Sequence, residues 1–174
     1  MYLDEDHNVY VDGFNLYYGC LKGTAYRWLD LGALCARLLP KNEIHRIRYF
    51  TAKVGARPGK PRDLVHQQAY LRALSTLPTV GVHLGHFPTT TIRMALAKPA
   101  PGGPKTVEVS MTEEKGSVVN LATYLLVDAS RHDADGFVAI SNSSDLTEPT
   151  RIVCHELGNL VGILNPQPHP SRAL

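Results

Sequence analysis

The sequence predicts an α/β fold, a parallel sheet with helices packed on both of its faces. Three observations lead there. Short apolar runs alternate with amphipathic helical stretches along the chain, the order that produces parallel strands joined by crossover helices. Runs such as Val9–Tyr10–Val11 and Phe137–Val138–Ala139–Ile140 are apolar at consecutive positions, as strands covered on both sides require. They also stop abruptly at polar turn residues, Asp12–Gly13 and Ser141–Asn142, and in open sheets of this class ligands bind beyond the carboxyl ends of the strands.

The elements follow in order. Val9–Val11 is a strand closed by the Asp12–Gly13 turn. "WLDLGALCARLLP" is an amphipathic helix with Asp30 as N-cap, Leu31, Leu34, Cys35 and Leu38 on one face, and Pro40 ending it. "IHRIRYFTAKV" is rich in β-formers and leads into a Gly/Pro-rich loop at residues 55–61. "RDLVHQQAYLRALSTL" reads as a second helix and "TVGVHLGHF" as a strand. "TTTIRMALA" and "KTVEVSM" flank "KPAPGGPK", a hairpin arm with a mobile tip. The stretch "TEEKGSVVNLATYLLVDASR" carries a helix with Val118, Leu121, Ala122, Leu125 and Ala129 as its apolar stripe. Strand "GFVAI", helix "LTEPTRIVCHEL" with Gly158 at its C′ position, and strand "LVGILN" complete the pattern. At 174 residues one domain is expected, over 1–166. A flexible tail, 167–174, should follow, because "PQPHPSRAL" has too many prolines for regular structure.

Composition narrows the setting. A hydrophobic share of 44% with 20% charged residues fits a globular chain rather than a disordered one. No window is long and apolar enough for a membrane span, and the acidic start lacks an export signal. Three widely spaced cysteines, Cys20, Cys35 and Cys154, suit reduced thiols, so a cytoplasmic location is expected. "HELGN" lacks the second histidine that a zinc motif needs, and no glycine-rich phosphate loop is present.

A carboxylate at the end of a central strand is costly unless it is hydrated, hydrogen-bonded or bound to a cation. Asp12 stands at such an end, with Asn15 placed to orient it; the plainer reading is that Asp12 only caps the following turn. Ser141, Ser143 and Asp145 in "SNSSDL" stand at another strand end. Together "VYVDGFNLYYG", "EEKGSVVNLATYLLVDA" and "FVAISNSSDLTEPTRIVCHELGNLVGILNP" resemble, in order and over nearly the whole chain, the three blocks of the NYN domain family, a branch of the PIN-like ribonucleases. The resemblance implies a PIN-like three-layer α/β/α sandwich with a mostly parallel central sheet of about five strands. It also implies an aspartate cluster at the strand edge that binds Mg²⁺ or Mn²⁺ and hydrolyses RNA. Such ions want carboxylate oxygens and water, and several acids are needed to gather them.

Two positions depart from the family pattern. Val118 stands where the second block usually has an aspartate, and Ser143 where the third usually has an acid. Asp12 and Asp145 remain as metal ligands, with Asn15, Ser141 and Ser143 positioning water or phosphate. Catalysis in this chain is therefore expected to be weakened or lost, and the alternative is a non-catalytic relative that binds RNA or a protein. Glu113 and Glu114, just before the second block, read as surface acids at a helix start. Asp128, about 15 Å along the helix from Val118, reads as capping or solvating the helix end. Lys53, Arg57, Lys60 and Arg62 crowd the loop after the second strand, and Arg93, Lys98 and Lys105 decorate the hairpin arm; such groups can hold an RNA backbone. Tyr17, Tyr18, Tyr26 and Trp28 can stack on unpaired bases or simply pack. RNA is the expected partner, with a homodimer or a regulatory protein also open.

Overall fold

The computed structural model describes residues 5–54 and 61–173. Its elements, in order, are β1 (Asp6–Asp12), α1 (Gly13–Leu16) running into a π-helical turn (Tyr17–Leu21), α2 (Leu31–Leu38), β2 (Glu43–Ala52), α3 (Pro61–Leu74), β3 (Val80–Gly85), β4 (Thr89–Ala95), β5 (Thr106–Thr112), α4 (Ser117–Ser130), β6 (Gly136–Ile140), a 3-10 turn (Ser144–Leu146), α5 (Thr147–His155) and β7 (Leu160–Leu164). The five-stranded sheet has the order β3-β2-β1-β6-β7, and all its pairings are parallel. β4 and β5 form a separate antiparallel hairpin. This is the expected α/β architecture with its hairpin arm.

Alternation along the strands builds two cores. Val9, Val11, Ile47, Tyr49, Val138 and Ile140 point to one face, where Leu31 and Cys35 of α2 and Leu71 and Leu74 of α3 cover them. Tyr10, Phe50, Phe137 and Ala139 point to the other, under Leu121, Leu125 and Ala129 of α4 and Val153 of α5. The helix layers on both faces thus follow from a side-chain period of two on strands buried on both sides. Asp30 caps α2 as expected, accepting from the Ala33 amide at 3.0 Å. Gly158 takes φ 70° just past α5, the left-handed geometry that suits glycine. Leu38, expected on the apolar face of α2, is 47% exposed, because the core ends one turn earlier, at Cys35.

β1 and β6 are neighbours in the sheet although far apart in sequence. From β1 the chain winds out through β2 and β3, then returns to add β6 and β7 on the other side. The order reverses between β1 and β6. A crevice opens at such a reversal beyond the strands' carboxyl ends, and Asp12 and Ser141 stand there.

Among the described residues, no helix is long and apolar enough to cross a membrane.

Candidate functional site at the sheet switch point

Val11 pairs with Ile140 in the register of β1 and β6, so Asp12 and Ser141, one residue further on, meet side by side. Asp12 is 2% exposed. Its carboxylate accepts three hydrogen bonds: from the Asn15 amide at 3.0 Å, from Asn15 Nδ2 at 2.7 Å and from Ser141 Oγ at 2.9 Å. The backbone amide of Ser143 donates in turn to Ser141 Oγ at 3.1 Å, and that of Asp145 to Ser143 Oγ at 3.4 Å. Asp12 caps α1, as the plainer reading expects, and its other oxygen also ties the turn to Ser141 at the end of β6. Gly13 is required by close approach. A Cβ there would stand 2.6 Å from the end of the Tyr49 ring and 2.8 Å from the Phe50 carbonyl.

The structure therefore joins Asp12, Asn15, Ser141 and Ser143 in one hydrogen-bonded chain. Asp145 enters it through its backbone only. Its side chain is exposed and receives no hydrogen bond from the described residues. Val118 stands half-buried in the first turn of α4, packed on the core face that also holds Tyr10, and by alternation Asp12 shares that face. The start of α4 is at the same sheet edge, since Lys115 and Ser117 abut Gly85 at the end of β3.

With Val118 and Ser143 in place, the donor set among the described residues falls short of what a hard divalent cation needs. Three of the roughly four lone-pair positions of the Asp12 carboxylate are taken by protein donors, which leaves little for a cation that wants six oxygens. Among the described residues no group of three or more His, Cys, Asp or Glu side chains is placed to hold an ion. Glu113 and Glu114 do not fill the gap. Glu113 pairs with Lys115 at 2.8 Å in solvent, and Glu114 accepts from the Ser117 amide at 2.9 Å, capping α4.

Asp128 corrects an expectation. It is no solvated helix end but 3% exposed, on the inner side of α4. There it accepts from Arg48 Nε at 2.7 Å, Arg48 Nη2 at 2.9 Å and the Tyr10 hydroxyl at 2.7 Å. Burial and this bond to Asp128 push the Tyr10 hydroxyl well above its usual range.

Of the expected basic contacts, Lys53, just after β2, and Arg62, at the start of α3, are exposed. Arg57 and Lys60 lie outside the described residues. Arg93 pairs across the hairpin with Glu108 at 3.2 Å.

Next to Asp12 is a feature only partly legible in the sequence. A cavity of about 170 Å³ is walled by Gly13, Phe14, Tyr17, Tyr18, Trp28, Tyr49 and Tyr70, with Arg27, Asp63, His66 and Gln67 supplying polar edges. Gln67 fixes one wall, accepting from the Val54 amide and donating to the Ala52 carbonyl, each at 2.8 Å. The Tyr70 hydroxyl fixes another by donating to the Leu29 carbonyl at 2.8 Å. Burial, together with the nearby Tyr70 and the charge of Asp12, pushes the Tyr49 hydroxyl upward. Tyr26 lies outside this cavity and is 71% exposed.

Residues 165–173, after β7, have no helix or strand, as their prolines dictate, yet they are tied down across the switch point. Gln167 Nε2 donates to the Asn15 carbonyl at 3.2 Å. Asn142 donates to the His169 carbonyl at 3.0 Å and accepts from the Ser171 amide at 2.6 Å. Asn142 was visible in the sequence only as part of "SNSSDL"; its partners are residues that no local pattern links to it.

Comparison with protein-family models finds no match. The chain is 29% identical over 189 aligned residues to the 6-hydroxy-3-succinoylpyridine 3-monooxygenase HspA of Pseudomonas putida (strain DSM 28022 / S16). That alignment takes in 95% of this chain but 61% of the relative, so the chain spans about three fifths of that protein's length. A solved structure of a protein of unknown function from Vibrio parahaemolyticus RIMD 2210633 matches with TM-score 0.56 at 17% identity, covering 92% of this chain and 80% of that one. At that identity the likeness establishes the α/β fold alone.

Proposed function

We propose that the chain is an RNA-binding domain of the NYN type whose metal-dependent ribonuclease activity is attenuated by the loss of two acids. The observation that carries this reading is the geometry at the β1/β6 reversal. Asp12, Asn15, Ser141 and Ser143 are assembled there as one cluster, while the half-buried position at the start of α4 holds the apolar Val118. Exposed Lys53 and Arg62 lie near the same edge and suit a phosphate backbone. Asn15 and Ser141 hold the Asp12 carboxylate in place, the Ser143 amide steadies Ser141 Oγ, and Asp145 adds a second acid in solvent. Mg²⁺ or Mn²⁺, when several acids gather it, would supply a water of lowered pKa for phosphodiester hydrolysis.

The test is a cleavage and binding assay on labelled single-stranded RNA with Mg²⁺, Mn²⁺ or EDTA. This chain should bind RNA and cut it slowly or not at all. Val118→Asp combined with Ser143→Asp should raise Mn²⁺-dependent cleavage by at least about a hundredfold. An inert double variant beside a briskly cutting parent would remove both positions from the site.

A second reading has its own observation. The relative is named a monooxygenase of 6-hydroxy-3-succinoylpyridine, and the aromatic-walled cavity beside Asp12 has room for a single ring. On that reading the domain binds a small aromatic acid in place of RNA. A saturable heat of binding for a hydroxypyridine carboxylate, with none for RNA, would favour it.

A further inference from the structure

We infer that the cavity beside Asp12 is a stacking pocket for one unpaired pyrimidine base of a single-stranded RNA. The inference rests on the RNA reading above and adds which base the site selects.

Size decides the class of ring. A cavity of about 150 Å³ accepts a benzene molecule, and this one measures about 170 Å³. A six-membered ring with its exocyclic oxygens matches that volume, whereas the second ring of a purine would extend past the walls into solvent and gain less contact. The walls cannot readily give. Gln67 and Tyr70 are locked by their backbone hydrogen bonds, and Tyr49 is wedged against Gly13.

The ring contacts favour stacking. Trp28 meets His66 at 5.7 Å and 75° and Tyr70 at 6.3 Å and 64°, both edge-on. No parallel ring lies on Trp28 among the described residues, although it lines the cavity and is 47% exposed. A half-exposed tryptophan in a rigid aromatic pocket leaves apolar surface in water that a planar ligand would cover.

The polar groups suit a nucleotide. The Arg27 guanidinium lies over one face of the Trp28 ring, 5.8 Å from its centre, which leaves the other face for a base. It has no carboxylate partner among the described residues, so it can also meet a phosphate. Asp63 and His66, one turn apart on α3, offer an acceptor and a ring nitrogen to the base edge. The pocket shares Gly13 with the Asp12 turn, so a base held here places the adjoining backbone beside the switch-point cluster.

Trp28 is the chain's single tryptophan, and its emission reports occupancy directly. UMP and CMP should quench it saturably, with AMP and GMP at least about tenfold weaker. Labelled oligo(U) should bind more tightly than oligo(A) by anisotropy, and Trp28→Ala should erase that preference. Tyr17→Ala, on an exposed side chain, should weaken UMP by about tenfold, within the range that one stacked base contributes. If RNA of either composition binds equally and UMP leaves Trp28 emission unchanged, the pocket assignment falls while the RNA reading stands. If no RNA binds at all, the RNA reading falls and this inference with it. Tighter quenching by benzoate than by UMP, without oligo(U) binding, overturns the inference in favour of a free aromatic acid.

Discussion

Two buried aspartates in this molecule look alike until their partners are compared. Asp12 and Asp128 are 2% and 3% exposed, and each accepts hydrogen bonds from three donors. Asp128 takes two of its three from the guanidinium of Arg48, in a pair whose side chains are 13% and 4% exposed. Asp12 takes all of its bonds from neutral amides and a hydroxyl, and among the described residues no Lys, Arg or His pairs with it. Both satisfy the rule that a buried carboxylate must be hydrogen-bonded. Only one is neutralised. Burial and donor count therefore do not separate the two; what sets Asp12 apart is the missing counter-charge at a strand end, the feature on which the proposed role rests.

The largest expected effect breaks the neutralised member. Arg48→Met leaves Asp128 buried with only the Tyr10 hydroxyl, and removing one partner of a buried pair costs about 3–5 kcal/mol. For a chain of this length the midpoint of thermal unfolding should fall by about 6–20 °C. Adding Asp128→Leu together with Tyr10→Phe, which removes the hydroxyl that would lose its acceptor, should recover most of that loss, because well-packed apolar side chains can replace a buried ion pair. A thermal melt of both variants checks this. An Arg48→Met protein as stable as the parent would show the pair to be ornamental.

That pair also shows where sequence reading stops. The strands, the hairpin, the Asp30 cap and the apolar stripe of α4 were legible, because each depends on periodicity or on neighbours within a few residues. So was the meeting of Asp12 with Ser141, because strand ends announce themselves. The Arg48–Asp128 contact joins a strand to a helix 80 residues later, and nothing local to either marks it. The Asp12–Gly13 turn was legible, but no element was assigned to the aromatic stretch after it, where Asp12 caps a short helix that runs into a π-helical turn. The aromatic cavity was half visible. Tyr17, Tyr18 and Trp28 were candidates for stacking, but Tyr49 and Tyr70 reach it from β2 and α3, and only the packing of the layers brings them in.

A smaller structural effect is expected at the other aspartate. Asp12→Asn keeps the acceptor for the Asn15 amide, and Asn caps helices about as well as Asp. Its NH2 replaces the oxygen that accepts from Asn15 Nδ2 and Ser141 Oγ, so the Asn15 side-chain amide must flip and the Ser141 hydroxyl turn to accept from it. The expected cost is about 1 kcal/mol or less. In the acid-restored background the same change should abolish Mn²⁺-dependent cleavage with the melt almost unmoved. A loss as large as that of Arg48→Met would instead place Asp12 among the structural carboxylates and dissolve the contrast.

The smallest effect concerns pH and the neighbour of the neutralised pair. Arg48 Nη1 lies 3.3 Å from His83 Nε2, and a guanidinium can only donate, so that nitrogen accepts and the ring is neutral. Its ring lies 4.9 Å from that of Phe50 and 4.2 Å from that of Tyr124. Burial, with help from the Arg48 charge and against the pull of Asp128, holds the His83 pKa below its ordinary value. The folded protein thus binds this proton less readily than the unfolded chain does. Its stability contribution is present above the unfolded value of about 6.5 and declines as pH falls below it. His83→Gln keeps an acceptor for Arg48 and removes the titration. Denaturant unfolding of parent and variant between about pH 7.5 and 5 should show the stability difference shifting in the variant's favour as pH drops. A difference that stays constant with pH would mean His83 is solvated enough to titrate alike in both states, leaving Arg48 and Asp128 to balance each other without it.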